Sequence, residues 1–121
     1  HVSESFWVIT GTTKMHQLSS DISIAAQSTA TIVILMGMGK LSEIVNVFSK
    51  AGKEHTPVAI IQNGTTDHEK SGFGTVQTIE AVVSEQQLSS PAIIVIGDVV
   101  SNRVQLDSIS KEVQIDSLIH H

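Results

Sequence analysis

Two apolar runs lead straight into glycine loops. Thr31-Ile32-Val33-Ile34-Leu35-Met36 runs into Gly37-Met38-Gly39, and Val58-Ala59-Ile60-Ile61-Gln62 runs into Asn63-Gly64. A third run, Ala92-Ile93-Ile94-Val95-Ile96, opens after Pro91 and closes at Gly97. Uninterrupted runs of this kind suit strands covered on both faces, as in α/β sheets. Phe6 to Thr10 predicts a first strand closed by Gly11, and Thr31 to Met36 a second. Leu41, Ile44, Val45 and Phe48 follow helical spacing, with Gly52 where a helix C-cap belongs. Ser20 or Asp21 can cap a shorter helix through Ala26, and Thr75 one that carries Ile79, Val82 and Val83. Glu69 to Gly74 predicts an irregular fourth strand. Asp98 to Val104 has no clear pattern, and Val113, Ile115, Leu118 and Ile119 give the end of the chain modest amphipathic character.

The order is therefore strand, short helix, strand, helix, strand, strand, helix, strand, tail. Asn63-Gly64 is a hairpin signal and argues against a purely parallel sheet. The expected fold is α/β, a mixed sheet of about five strands with helices packed on it. Ligands of such sheets collect beyond the carboxyl ends of strands, where glycines let the backbone approach closely. The expected site thus lies around Met36 to Gly39 and Asn63 to Thr65.

Composition narrows the chemistry. With 121 residues, 40% hydrophobic, and a mean hydropathy of +0.17, the chain suits one domain with a real core. No apolar stretch approaches the roughly 18 residues of a membrane span, so no membrane partner is expected. Cysteine is absent, which excludes disulfides, thiolate zinc sites and cysteine catalysis and fits a cytoplasmic setting. The net charge is -5, Arg103 is the sole arginine, and lysines 14, 40, 50, 53, 70 and 111 are scattered, so no nucleic-acid partner is expected. The chain opens with His1 and enters a strand almost at once, which reads either as a natural domain start or, at least as readily, as a fragment of a longer polypeptide. His120-His121 reads equally as a tag remnant and carries no metal argument.

Familiar motifs are missing. A P-loop needs glycine where Ile34 stands and a hydroxyl where Leu41 stands, and a dinucleotide fingerprint needs glycine at Ser42. His16, His55 and His68 lack second ligands at useful spacing, so no metal site is expected. No Gly-x-Ser-x-Gly elbow occurs, Glu80 and Glu85 suit a solvated helix face, and no residue stands out as a general base. Met36 reads either as core filler or as a side chain laid against a flat ligand ring. Gly64 reads either as a plain turn glycine or as a point of ligand approach.

Taken together, several blocks carry a resemblance. Ser3-Glu4-Ser5-Phe6-Trp7-Val8-Ile9-Thr10-Gly11, Met36-Gly37, Thr56-Pro57-Val58-Ala59-Ile60-Ile61-Gln62-Asn63-Gly64-Thr65-Thr66, Gly74-Thr75-Val76 and Ser90-Pro91-Ala92-Ile93-Ile94-Val95-Ile96-Gly97-Asp98 come in order. From Val2 to Leu106 the chain resembles the carboxyl-terminal half of the uroporphyrinogen-III C-methyltransferases, within the tetrapyrrole methylase family. The resemblance implies residues 1–106 as a second domain whose first domain is absent, followed by a tail over 107–121.

It also implies methyl transfer from S-adenosylmethionine to uroporphyrinogen III, with S-adenosylhomocysteine as product and precorrin-2 passed to sirohaem or cobalamin. A homodimer is implied as well. The methionine of Met36-Gly37 and the glycine of Asn63-Gly64-Thr65 match family positions that contact the methyl donor, with Gly37, Asn63 and Thr65 as neighbours. The family's Gly-Gly-Asp loop, which lies in the first domain, does not occur here, so this stretch alone is expected not to catalyse. Thr12 stands where the family has His, Leu35 where it has Tyr, and Gln62 where Glu is common. Another precorrin methyltransferase, or a ligand-binding or dimerisation module without chemistry, are the alternative readings.

Overall fold

The computed structural model describes residues 6–13, 15, 17–62 and 69–119. In chain order they form β1 (Phe6–Thr10), α1 (Asp21–Ala26), β2 (Thr31–Leu35), α2 (Leu41–Lys50), β3 (Pro57–Gln62), β4 (Lys70–Thr75), α3 (Ile79–Gln86), β5 (Ala92–Ile96) and α4 (Arg103–Ile119). Short 3-10 turns at Met38–Lys40 and Asp98–Ser101 lead into α2 and α4.

The five strands form one mixed sheet in the order β1-β2-β5-β3-β4. β1 and β2 are parallel, whereas β5 is antiparallel to both β2 and β3, and β4 is antiparallel to β3. β5 therefore lies between two strands that share a direction. The carboxyl ends of β1, β2 and β3 meet the amino ends of β4 and β5 along one edge of the sheet. Pairing of Gln62 with Lys70 leaves residues 63–69 as the β3–β4 connection. Asn63, Gly64 and Thr65 lie outside the described residues.

Alternation along the strands explains the unbroken apolar runs. Ile32, Ile34, Val58, Ile60, Ile94 and Ile96 face one side, buried with Ile22 of α1, Ile44 and Phe48 of α2 and Ile79 of α3. Val33, Ala59, Ile61, Ile93 and Val95 face the other, where Val100 and Leu106, Ile109 and Val113 of α4 cover them. Arg103 at the start of α4 adds a guanidinium 3.9 Å from the Phe73 ring centroid of β4.

The structure departs from the sequence expectations in specific places. β2 ends at Leu35 rather than Met36, because Met36 turns into the left-handed region with φ 55°. α3 begins after Thr78 rather than Thr75, and the Thr78 hydroxyl accepts the Thr75 N–H at 2.9 Å instead of capping the helix. The unpatterned stretch after Asp98 is the 3-10 turn and the first residues of α4. α4 extends from Arg103 to Ile119 and buries Ile109 and Val113 against the sheet.

Candidate functional site

The site is built at the end of β2. Leu35 accepts the Gly11 N–H at 2.7 Å, which ties the exit of β1 to the exit of β2. The chain then turns at Met36. A left-handed residue with a Cβ costs about 1–2 kcal/mol, because the Cβ crowds the following carbonyl oxygen. Such strain persists only where the surroundings over-determine it, and it concentrates at functional positions. Here the Thr12 hydroxyl donates to the Met36 carbonyl at 3.1 Å, and Lys40 N–H donates to the Gly37 carbonyl at 3.0 Å. Thr12 is itself positioned by a small loop, in which Ser19 N–H donates to Gly11 and Thr13 N–H to Gln17.

Gly37 is needed for space. A Cβ there would come within 2.8 Å of Ile34 Cγ2 and 3.1 Å of both Ile44 Cδ1 and Ile94 Cδ1. Gly11 is needed for the same reason, since its Cβ would lie 2.7 Å from the Gly37 Cα. The two glycines let the β1 and β2 exits close on each other. Met36, beside Gly37, has φ 55° and is 64% exposed. An exposed methionine beside a fully packed core is the reverse of what the residue type ordinarily does.

The exposed side chain lies at a cleft of about 650 Å³, within the usual size of small-molecule sites. Thr12, Leu35, Met36 and Met38 line it from one side, and Ser90, Pro91, Ala92 and Ile93 from β5 and its approach. Gly39 and Lys40 complete the lining. A Cβ on Gly39 would meet nothing within 4 Å, so that glycine keeps space open rather than allowing close packing. The Ser90–Pro91 peptide bond is cis. The Gln62 Oε1 accepts the Ser89 N–H at 2.7 Å and so links the end of β3 to the approach to this wall.

The surroundings are mostly apolar, and charge is sparse. Lys40 forms an ion pair with Glu43 at 3.3 Å. Among the described residues no group of three or more His, Asp or Glu side chains gathers to hold a metal ion. No described helix is long and apolar enough to cross a membrane. Lys53, on the far side of the core from this cleft, donates from Nζ to the Ser28 carbonyl, and desolvation holds its pKa below the usual lysine value.

The sequence-expected residues divide cleanly. Met36 and Gly37 are together at the strand end, one lining the cleft and the other supporting the turn. Gly64, Asn63 and Thr65 lie outside the described residues, between two strands whose ends border the same edge. Sequence reasoning gave no role to Thr12, Lys40 or the Ser90–Ile93 wall. Thr12 was visible only as a departure from a pattern, and Ser90-Pro91-Ala92 as a strand start and as one block of the family resemblance, not as a wall of the site.

A mixed α/β sheet with a cleft over a glycine-supported strand exit makes the end of β2 a candidate small-molecule site of the α/β type. The sequence profile of the Tetrapyrrole (Corrin/Porphyrin) Methylases matches residues 2–80, and the chain belongs to that family. It is 36% identical over 89 residues to a uroporphyrinogen-III C-methyltransferase of Bacillus subtilis, an alignment covering 73% of this chain and 35% of that protein. It is 35% identical over 99 residues to a siroheme synthase of Nitrosomonas eutropha, covering 81% of this chain and 21% of that one. The fold matches the crystal structure of uroporphyrin-III C-methyl transferase from Thermus thermophilus complexed with S-adenyl homocysteine, with a TM-score of 0.68 at 21% identity. That match covers 82% of this chain and 44% of the other. The chain thus spans less than half the length of the relatives it matches.

Proposed function

We propose that this domain forms one wall of an S-adenosylmethionine-dependent C-methyltransferase site that converts uroporphyrinogen III to precorrin-2, for sirohaem or cobalamin. The observation that carries this reading is the left-handed Met36, exposed at an apolar cleft in a tetrapyrrole methylase domain. The names of the relatives support the substrate, and the Thermus thermophilus complex supports the methyl donor. The remaining wall comes from a further domain, a homodimer completes the assembly, and the setting is cytoplasmic.

The cleft fits the donor. Its lining pairs a polarizable methionine with Pro91 and Ala92, which suits the flat face of a purine, and Thr12 and Ser90 add hydroxyls at its border. Met36, Pro91 and Ala92 would hold the donor from this side. Gly37 keeps the turn seated so that Met36 is presented, and Asn63, Gly64 and Thr65 would contact the donor from the β3–β4 connection. When bound, S-adenosylmethionine supplies an electrophilic sulfonium methyl group. Reduced pyrrole rings are already carbon nucleophiles, so the residues of this chain align the partners and exclude water. Among the described lining residues there is no carboxylate or histidine to act as a general base, in keeping with that division of labour.

The test is anaerobic methyl transfer by the full-length polypeptide supplied with S-adenosylmethionine and uroporphyrinogen III, read by product mass. A gain of two methyl groups is expected. Binding of S-adenosylhomocysteine without transfer would replace this substrate with a later precorrin. Absence of both would overturn the reading in favour of a module without chemistry.

A further inference from the structure

Lys40 is the one described residue of the cleft lining that carries a formal charge. It stands in a chain with net charge -5, whose cations are few and scattered. The 3-10 turn at Met38–Lys40 brings it to the cleft, directly after Gly39, whose missing side chain leaves the adjoining space open. Its side chain is 33% exposed, so part of its length is covered while the residue lines the cleft. Its partner Glu43 is 55% exposed and only three residues further on, an exchangeable surface pair that leaves the lysine free to take another anion.

We propose that Lys40 is the anion-recognising residue of this cleft and binds a carboxylate of the bound ligand. The inference rests on the methyltransferase reading above, under which two carboxylate sources reach the cleft. One is the amino-acid carboxylate of the methyl donor, and the other is an acidic side chain of the tetrapyrrole. An ammonium facing a carboxylate in an apolar cleft makes a stronger hydrogen bond than one exposed to water. Glu43 occupies the position when no ligand is bound and yields it on binding.

The experiment uses the full-length polypeptide with Lys40→Met, Lys40→Arg and Glu43→Gln. Calorimetry measures affinity for S-adenosylhomocysteine and its decarboxylated analogue, and steady-state assays measure KM for the tetrapyrrole at saturating donor. Lys40→Met is expected to weaken one carboxylate ligand by about tenfold, while Lys40→Arg stays within about threefold. Weaker S-adenosylhomocysteine binding, with no change for the decarboxylated analogue, identifies the donor carboxylate. A raised tetrapyrrole KM with kcat and S-adenosylhomocysteine affinity retained identifies the substrate carboxylate. Glu43→Gln is expected to leave both at least as tight, and a loss equal to that of Lys40→Met would reduce Lys40 to a structural partner of Glu43. Unchanged values for Lys40→Met would overturn the inference while leaving the methyltransferase reading intact. An unmodified protein that binds no S-adenosylhomocysteine and transfers no methyl group would remove both.

Discussion

The Thr12 hydroxyl donates a hydrogen bond to the carbonyl of Met36 at 3.1 Å, joining the loop after β1 to the strained turn after β2. The bond spans two strands that pair in parallel and so leave the sheet side by side. Thr12 thus ties the Met36 turn to the loop after β1 at the border of the cleft. Thr12→Val keeps the shape and removes the donor group. It is expected to cost about 0.5–1.5 kcal/mol of stability and to weaken S-adenosylhomocysteine binding several-fold, whereas Thr12→Ser retains both. Denaturant titration and calorimetry on the three proteins check this.

Met36 holds a conformation that glycine adopts without penalty. Met36→Gly forfeits little burial, because the side chain is mostly exposed. Relief of the left-handed strain is expected to raise stability by about 1 kcal/mol. The same change is expected to weaken donor binding, since the thioether surface at the cleft is gone. A variant that lost stability would show that Met36 is core filler after all.

Gly37 and Gly39 are expected to behave oppositely when replaced by alanine. Gly37→Ala drives a methyl group into Ile34, Ile44 and Ile94 and is expected to destabilise the fold by about 1–3 kcal/mol. Gly39→Ala meets nothing and is expected to fold normally, with any loss confined to ligand affinity. Thermal unfolding in parallel with ligand titration separates the two.

Gln62 ties the end of β3 to Ser89, next to the Ser90–Ile93 wall. Gln62→Leu leaves the Ser89 N–H without this acceptor and loosens the wall. The expected result is a several-fold weaker donor with stability changed by less than about 1 kcal/mol, because Ser89 is exposed and water replaces the bond. Gln62→Glu, which keeps the acceptor, is expected to restore affinity.

α4 belongs to the domain, because Leu106, Ile109 and Val113 complete the second face of the sheet. Leu106→Ala is expected to cost about 2–5 kcal/mol, as for other buried large-to-small changes. A surface control on the same helix, Gln105→Ala, is expected to stay within about 0.5 kcal/mol. Chemical denaturation of both variants tests whether the helix is structural.

Much of this fold was legible in the amino-acid order. Apolar runs such as Ile32–Leu35 and Ile93–Ile96 declare strands buried on both faces, and Leu41, Ile44 and Phe48 declare one face of a helix. Those are local periodicities, set by backbone geometry, and β1 to β5 and α1 to α3 appear in the order they give, with shifts at the end of β2 and the start of α3. The glycines at 37 and 39 likewise marked the strand exit as the place for a ligand. α4 was harder to read, since its stripe of Leu106, Ile109 and Val113 is sparse and has meaning only beside the sheet it covers.

What tertiary structure decided is pairing and contact. Insertion of antiparallel β5 between β2 and β3 is a long-range choice, and it alone brings Ser90–Ile93 opposite Met36 to make a cleft. No spacing in the sequence distinguishes Gly37, where a methyl group would strike three isoleucines, from Gly39, where it would strike nothing. Met36 reads as an ordinary apolar residue until its left-handed turn shows it facing outward. Sequence carries local preference along one chain direction. The packing of distant segments selects which residues meet, and at Met36 it outweighs the local preference against positive φ.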